Sequence, residues 1–240
     1  RFENYSDFGN NFTWKFSTRY KLLDDKLYLR GSVSTGFRAP SLHQIYLSNI
    51  QTLISGGTVS NQGTFNNRST VIKALEVPEL KEEESLNISA GFAIRPNENM
   101  SFTADYYRIN VDDRILFTSS LANTDTSTPV GQILNDFNVT SIKFFINAAN
   151  TVTNGIDLVA NYDNILVGNG ELGVTLSANF NKTELDGKVK TPQPIAASGN
   201  DIFDRKEQSR IETARPNNKF ILSLNYQLGK FGVTLNNTRF

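Results

Sequence analysis

The feature that most constrains this chain is a regular alternation of apolar and polar side chains in extended segments. In residues 11–20 threonine, lysine, serine and arginine occupy the positions between large apolar side chains. The apolar set is Phe12, Trp14, Phe16 and Tyr20. A period of two predicts β-strands with one apolar and one polar face. Two folds fit this pattern: a soluble sandwich, whose apolar faces meet in a core, and a transmembrane barrel with an apolar outer wall and a wet interior.

The alternation recurs along the chain and predicts about eight strands. They cover residues 11–20, 27–37, 85–95, 100–111, 150–162, 172–180, 219–228 and a last segment from 231. The connections are alternately short and long, and the long ones span roughly 39–80, 114–148 and 181–216. Tight turns at one end and long loops at the other are typical of an antiparallel up-and-down meander, and outer-membrane barrels place the long loops outside.

Strand length favours the membrane fold. Ten residues that rise ~3.3 Å each and tilt by ~45° cover roughly 23 Å, close to the ~25 Å apolar band of a transmembrane barrel. Aromatic residues near the predicted strand ends fit a girdle at the bilayer interface. These are Trp14, Tyr20, Phe102, Tyr162, Tyr226 and Phe231. We therefore predict an all-β fold, an antiparallel up-and-down transmembrane β-barrel, with a soluble β-sandwich or lipocalin-like barrel as the alternative.

Composition argues against several classes of function. The chain has 24 basic and 24 acidic side chains, so it lacks the basic excess that favours nucleic acid. Cysteine does not occur, which excludes disulfides and thiolate metal sites, and no segment approaches the ~18 apolar residues of a spanning helix. His43 is the only histidine, and no matched metal ligand or nucleophile motif accompanies it. We predict no catalysis, no metal site and no cofactor.

Two charged segments are read as surface features. The run at residues 81–84 is expected to be a solvated approach to a strand. The charges between residues 201 and 207 fit an exposed loop as well as they fit a site for a cation or polar ligand.

The most specific string in the chain is Ser-Thr-Gly-Phe-Arg-Ala-Pro-Ser-Leu at residues 34–42. Proline lacks the amide hydrogen of a sheet ladder and restricts the residue before it, so the string is predicted to be a structural corner at the end of a strand. The residues that form this corner are Gly36, Phe37, Arg38, Ala39 and Pro40.

This string resembles a signature found in the barrels of TonB-dependent outer-membrane receptors. Residues 79–92 and 102–115 resemble the two elements that follow it in that family. The chain departs from the family pattern at Glu82, where a proline is usual, and at Ser89, where a glutamate is frequent. Neither departure disturbs the alternation.

The resemblance implies a 22-stranded barrel closed by an N-terminal plug, which binds a scarce nutrient such as an iron-siderophore and imports it with energy relayed by TonB. Residues 1–240 would be a partial barrel domain from the C-terminal part, without plug or signal peptide. The implied partners are outer-membrane lipid, the receptor's own plug domain, TonB through that plug and a small nutrient ligand. The implied location is the cell outer membrane of a Gram-negative bacterium.

In such a receptor the polar face would line the path between barrel and plug, and the three long loops would select the ligand. The predicted lumen-facing residues are Lys15, Arg19, Arg30, Asp105 and Asn161. Siderophore, cobalamin, haem, glycan and peptide are all open as cargo, because a fold does not fix what it carries. The alternative functions are a soluble all-β binding or adhesion module at the cell surface, and a passive porin.

Overall fold

The computed structural model describes residues 1–5, 9–23, 26–55, 58–122 and 125–240. In chain order its strands are β1 (Phe2–Tyr5), β2 (Gly9–Phe12), β3 (Lys15–Leu22), β4 (Leu27–Arg38), β5 (Asn49–Ser55), β6 (Thr58–Thr64), β7 (Glu83–Asn97), β8 (Met100–Phe117), β9 (Ser141–Lys143), β10 (Phe145–Val167), β11 (Gly170–Asp186), β12 (Asn218–Leu228) and β13 (Phe231–Arg239). The helices are short: α1 (Leu42–Tyr46), α2 (Thr70–Ala74), α3 (Pro129–Asp136), α4 (Gln193–Ala197) and α5 (Arg205–Glu212).

Eight of the strands form one antiparallel sheet in the order β3-β4-β7-β8-β10-β11-β12-β13. Every neighbour in this sheet is also the next sheet strand along the chain, so the predicted up-and-down meander is confirmed. Gly168 and Gly229 adopt positive φ values of 61° and 58° in two of the tight turns, a conformation that favours glycine. We call this eight-stranded sheet the wall. It is open, and in the described residues β3 and β13 are its edge strands.

The structure differs from the predicted strands in two ways. The segment predicted at 11–20 is broken at residues 13–14, because Phe12 pairs with Phe2 in the small β1-β2 hairpin, whereas the wall begins at Lys15. Strands β8, β10 and β11 also run further than predicted toward the long connections. Their added residues lie beyond the apolar residues of the sheet, and there they pack against the long connections.

The apolar side of the wall is exposed. Leu86 on β7 exposes 38% of its surface, and Phe12 and Trp14, which precede the wall in the chain, expose 67% and 43%. A soluble sandwich would bury these side chains between two sheets, and in the described residues no second sheet covers them. Register places apolar residues opposite one another from strand to strand, as in the row that runs from Ile94 through Phe102. The remaining members of that row are Ala160, Leu176 and Leu222.

The hydrophobic core lies in the three long connections. Residues 39–82, 118–144 and 187–217 hold all five helices and the small β5-β6-β9 sheet, and together we call them the loop cap. Most of its deeply buried side chains are apolar, and they come from all three segments. They include Ile72, Leu75, Leu121, Val130, Leu134, Ile142, Phe144, Ile195 and Ile202. The sequence analysis interpreted these segments as long loops and did not predict this core.

Hydrogen bonds join the segments of the loop cap to one another. The Ser119 amide donates to the Ile202 carbonyl at 2.9 Å, and the Ser119 hydroxyl accepts from the Asp204 amide at 2.9 Å. The Val130 amide donates to the Ser198 hydroxyl at 3.0 Å. The loop cap is therefore one packed layer over the loop ends of the strands.

Within the described residues, no helix is both long and apolar enough to cross a membrane.

Candidate functional site

The polar face of the wall carries an ion pair that reaches across a strand. Arg30 on β4 donates from Nε to Oδ1 of Asp105 at 2.6 Å and from Nη2 to Oδ2 of the same carboxylate. Between them lies Gly91 of β7, and a Cβ at that position would collide with the Asp105 carboxylate and the Ala104 carbonyl. Glycine on the middle strand therefore leaves the space through which arginine meets aspartate.

A second polar group lies on the next strands. The Tyr107 ring covers Gly155, where a Cβ would collide with the ring and its hydroxyl. Asn179 on β11 donates from Nδ2 to the Tyr107 hydroxyl at 3.2 Å and to Oδ1 of Asp157 at 2.6 Å. This repeats the arrangement around Gly91, since a glycine again lets a long side chain lie across its strand.

The other predicted lumen-facing residues lie on the same polar face but in separate places. Asn161 donates to the Ser101 hydroxyl at 3.2 Å and accepts from the Thr175 hydroxyl at 2.8 Å. Arg19 is exposed, with its guanidinium carbon 4.1 Å from the centre of the Tyr28 ring. Lys15 is exposed at the start of edge strand β3 and pairs in register with Ser34. The structure thus brings Arg30 and Asp105 together and leaves the other three apart.

The corner predicted at residues 36–40 lies where β4 meets the loop cap. Arg38 is the last residue of β4 and forms a bidentate ion pair with Glu83, the first residue of β7, with Nε–Oε2 at 2.8 Å. Glu83 is buried and also accepts from the Ile115 amide at 2.8 Å. Pro40 is buried, and Ser41 follows it as the N-cap of α1.

The remaining corner residues have nearby partners as well. A Cβ on Gly36 would stand 2.9 Å from the Ser85 hydroxyl oxygen. Phe37 meets Tyr5 edge to face, with ring centres 5.6 Å apart. Ala39 is half-buried between Arg38 and Pro40. The corner therefore ties β4, the β1-β2 hairpin and the start of β7 together.

A charged cluster at the loop end of β8 joins two segments of the loop cap. The Asp113 carboxylate binds Lys81 Nζ at 2.5 Å and Lys190 Nζ at 2.7 Å. By accepting the hydrogen bond of Lys81, Asp113 raises the pKa of that lysine above its usual value. Asn147 completes the cluster, because its side chain accepts from the Lys81 amide at 2.9 Å and donates to the Asp113 carbonyl at 2.6 Å.

The sequence analysis missed these roles at the loop end of the sheet. The run at residues 81–84 was expected to be a solvated approach, but Glu83 is only 7% exposed and Lys81 is paired. The available signal was the pairing of strand ends, since Arg38 and Glu83 stand directly opposite in register. No comparable signal marks Asn147, whose role depends on a local shift in the β8-β10 register.

The charges at residues 201–207 serve the local structure. Asp204 caps α5 by accepting from the Glu207 amide at 2.9 Å, and this hydrogen bond lowers the pKa of Asp204 below its usual value. Glu207 is buried and accepts from Arg210 with both carboxylate oxygens at 2.7 Å. His43 is exposed, 6.2 Å from the Phe145 ring centre to centre. Among the described residues no group of three or more histidine, aspartate or glutamate side chains is arranged to hold a metal ion.

Solved structures with a similar fold include a siderophore receptor, a peptide importer and an outer membrane transporter. The siderophore receptor PirA from Acinetobacter baumannii is 17% identical, with a TM-score of 0.58 over 99% of this chain and 29% of that one. The RagAB peptide importer in its "closed-closed" state is 12% identical, with a TM-score of 0.59 over 97% of this chain and 29% of that one. The outer membrane transporter YddB from Escherichia coli is 12% identical, with a TM-score of 0.57 over 96% of this chain and 28% of that one.

These likenesses show the fold, and this chain spans less than a third of each of the three structures. No curated protein sequence matches the chain significantly. The family described as "TonB dependent receptor-like, beta-barrel" matches residues 1–240, which is the whole chain. With the meander, the exposed apolar face and the corner at residues 36–40, this match establishes that the chain belongs to the TonB-dependent receptor β-barrel family.

Proposed function

We propose that residues 1–240 form a C-terminal part of the wall and external loops of an outer-membrane receptor in a Gram-negative bacterium. The receptor binds a scarce nutrient outside the cell and imports it with energy from TonB. Its partners are outer-membrane lipid, an N-terminal plug domain, TonB acting through that plug and a small nutrient ligand. The protein acts by binding and transport, without chemistry on the cargo.

The observation that carries this proposal is the contrast between the two faces of the wall. Phe16, Tyr20 and Phe231 expose 64%, 64% and 80% of their surface on the apolar side. Apolar patches beyond a few hundred Å² are rare on soluble monomers, whereas lipid makes such a surface favourable. The opposite side holds the partly exposed Arg30–Asp105 ion pair, and charged groups of this kind are costly against lipid but tolerated where water reaches them.

The apolar face also has an edge where a bilayer interface would lie. Tyr106, Ile156 and Phe180 stand in one register row on β8, β10 and β11. On these three strands the next residues toward the loop cap are polar: Arg108, Asn154 and Lys182. The same row stays apolar on β7, β4 and β3, with Ile88, Val33 and Phe16, so the edge of the apolar face runs obliquely across the wall. A wall that crosses a bilayer needs this change from apolar to polar side chains, because charges are costly within the hydrocarbon and tolerated near its surface.

In this proposal the loop cap selects the cargo. The similar structures include a siderophore receptor, a peptide importer and a copper transporter, so one fold serves different cargoes. The loop cap lies at the end of the wall that faces outward in such barrels, and its packed core holds its surface in one shape.

The test is TonB-dependent uptake by the full receptor. Cells that express it should accumulate one labelled cargo from a panel of ferric siderophores, oligopeptides and copper. Deletion of TonB should abolish that accumulation while leaving the receptor in the outer membrane. Accumulation that persists without TonB would instead indicate a passive porin, and a chain recovered as a water-soluble monomer would indicate a surface binding module.

The lumen-facing assignment has its own test. Alanine in place of Arg30 or Lys15 in the full receptor should change uptake or the packing of the plug while leaving membrane insertion intact. The matched control is Lys230→Ala, which removes a charge from the tight turn between β12 and β13. If all three variants transport alike, Arg30 and Lys15 do not act in the lumen.

A further inference from the structure

A partly enclosed cavity of about 490 Å³ lies between the polar face of the wall and the segment that contains α5. Its floor is made by β8, β10 and β11, with Tyr107 and Asn179 among the lining residues. Its other side is formed by the end of α5 and the residues that follow, including Arg215. A volume of 300–1,000 Å³ is usual for a small-molecule site.

Four cationic side chains line this cavity, and one lining residue is acidic. The cations are Arg114, Arg210, Arg215 and Lys219, and the acid is Glu212. Among the described residues, only Arg210 of these four has a carboxylate partner, because both oxygens of Glu207 accept its hydrogen bonds. Lys182 on β11 attracts Glu212 weakly but forms its ion pair with Glu184, so Glu212 offsets part of the positive charge of the cavity.

The other three cations have no carboxylate within ion-pair distance in the described part of the chain. Arg114 is half-buried and donates to the Thr151 hydroxyl at 3.0 Å. The Glu83 carboxylate, whose ion pair is with Arg38, attracts Arg114 from a distance, and the charges of Arg215 and Arg38 repel it. Lys219 lies 5.5 Å from the centre of the Phe240 ring. Unlike Arg114, Arg215 and Lys219 are exposed. The cavity therefore carries a net positive charge around one partly desolvated arginine, and an anion bound there would relieve the repulsion.

We propose that this cavity binds a multivalent oxyanion, a ligand that bears several carboxylate or phosphate groups. The arginine fork matches the planar geometry of a carboxylate or a phosphate, and charge-assisted hydrogen bonds are about twice as strong as neutral ones. Arg114 and Arg215 bind the anionic oxygens from the wall and from the segment after α5, and Lys219 adds a third charge. The assignment rests on the proposed function, since it names the chemical class of the nutrient that the receptor carries.

Calorimetric titration of the full receptor in detergent tests this, with citrate and inorganic pyrophosphate as probes and glucose as the neutral control. We expect one or both anions to bind, with an affinity that falls as salt is added. Arg215→Gln should weaken binding about tenfold, the effect of losing one charged hydrogen bond. Arg205→Gln, which removes the same charge from the exposed start of α5, should leave the affinity unchanged.

Arg215 is exposed, so its substitution should leave the fold intact, and Arg114→Gln serves as the second variant. Three results would overturn the proposal: no binding of either anion, as expected if a carboxylate of the receptor itself fills the cavity; glucose binding as strongly; or equal loss in Arg205→Gln and Arg215→Gln. The titration requires neither TonB nor transport. A receptor that binds the anion without importing it would therefore contradict the proposed function and leave the anion site standing.

Discussion

Large apolar side chains are exposed on one face of the wall and buried in the loop cap. In the wall, Phe231 is 80% exposed on a face that continues across eight strands. In the loop cap, Phe144 is fully buried with Ile72, Ile142 and Ile195. One chain therefore contains a region built for lipid and a region built for water.

The difference follows from the free energy of burying apolar surface, which depends on whether water or lipid surrounds it. In water, burial of apolar surface contributes roughly 25 cal/mol per Å², so the loop cap gathers its apolar residues into a core. Lipid is itself apolar, so the wall gains nothing by burying its outer face and must instead satisfy its backbone polar groups. The sheet does so through its ladders, and the polar face adds side-chain pairs such as Arg30–Asp105.

The largest effect expected from this comparison is in the core of the loop cap. Phe144→Ala should destabilise the loop cap by about 3–5 kcal/mol, because it removes a fully buried aromatic side chain. Phe231→Ala makes the same change on the exposed face of the wall and should cost much less. Limited proteolysis and hydrogen exchange of the full receptor would measure both. Equal losses at the two positions would mean that the two regions do not differ in the way described.

The second largest effect is expected from a substitution that places a charge on the apolar face of the wall. Leu158 lies in the middle of the apolar run of β10, between Ile156 and Ala160. Leu158→Arg should destabilise the folded receptor by about 2–4 kcal/mol, the cost of arginine near the bilayer midplane on a barrel surface. Thr103→Arg puts the same side chain on the polar face and is the control. Urea titration of folding into lipid vesicles measures both, and a tolerated Leu158→Arg would argue that this face does not meet lipid.

A smaller effect is expected on the polar face of the wall. Gly91→Ala places a methyl group against the Asp105 carboxylate and should cost about 1–3 kcal/mol, as overpacking usually does. Loss of the Arg30–Asp105 ion pair contributes little to this destabilisation, because the pair is partly exposed and therefore screened by solvent. Gly31→Ala on the neighbouring strand is the control, since its nearest contact would be 3.6 Å away. Similar losses from both substitutions would show that backbone propensity, and not the contact with Asp105, sets the cost.

The wall could be predicted from the sequence because its signal is local. Alternation with a period of two identifies each strand, and apolar residues such as Phe92 and Phe102 fall on one face whichever strands become neighbours. Turn residues such as Gly168 and Gly229 then mark the tight end of the hairpins. The strands were predicted too short at their loop ends because alternation fades where both faces of β8 and β10 become buried.

The loop cap could not be predicted in the same way. Ile72, Ile142 and Ile195 come from three different connections and show no shared period, so only the fold brings them together. The partners of the candidate site were equally remote in sequence. Arg30 and Asp105 are 75 residues apart, and their contact depends on a glycine in the strand between them. The residues could be assigned to the polar face, but not to one another.

The smallest expected effect concerns the pH dependence of the loop cap. The Glu207 amide donates to the Asp204 carboxylate at the start of α5 and lowers the pKa of Asp204, so the ionised cap stabilises the helix. A lowered pKa in the folded state means that this stabilisation is complete above the ordinary pKa of aspartate, ~3.9, and is lost as the pH falls through the lower folded value. Hydrogen exchange of α5 in the full receptor should therefore accelerate at acid pH relative to the wall strands. Asp204→Asn is the matched variant, because asparagine also caps helices but does not titrate. This variant should keep α5 protected from exchange at neutral pH and should reduce the acceleration of exchange at acid pH. An unchanged pH profile would mean that another group of the loop cap causes the acid sensitivity.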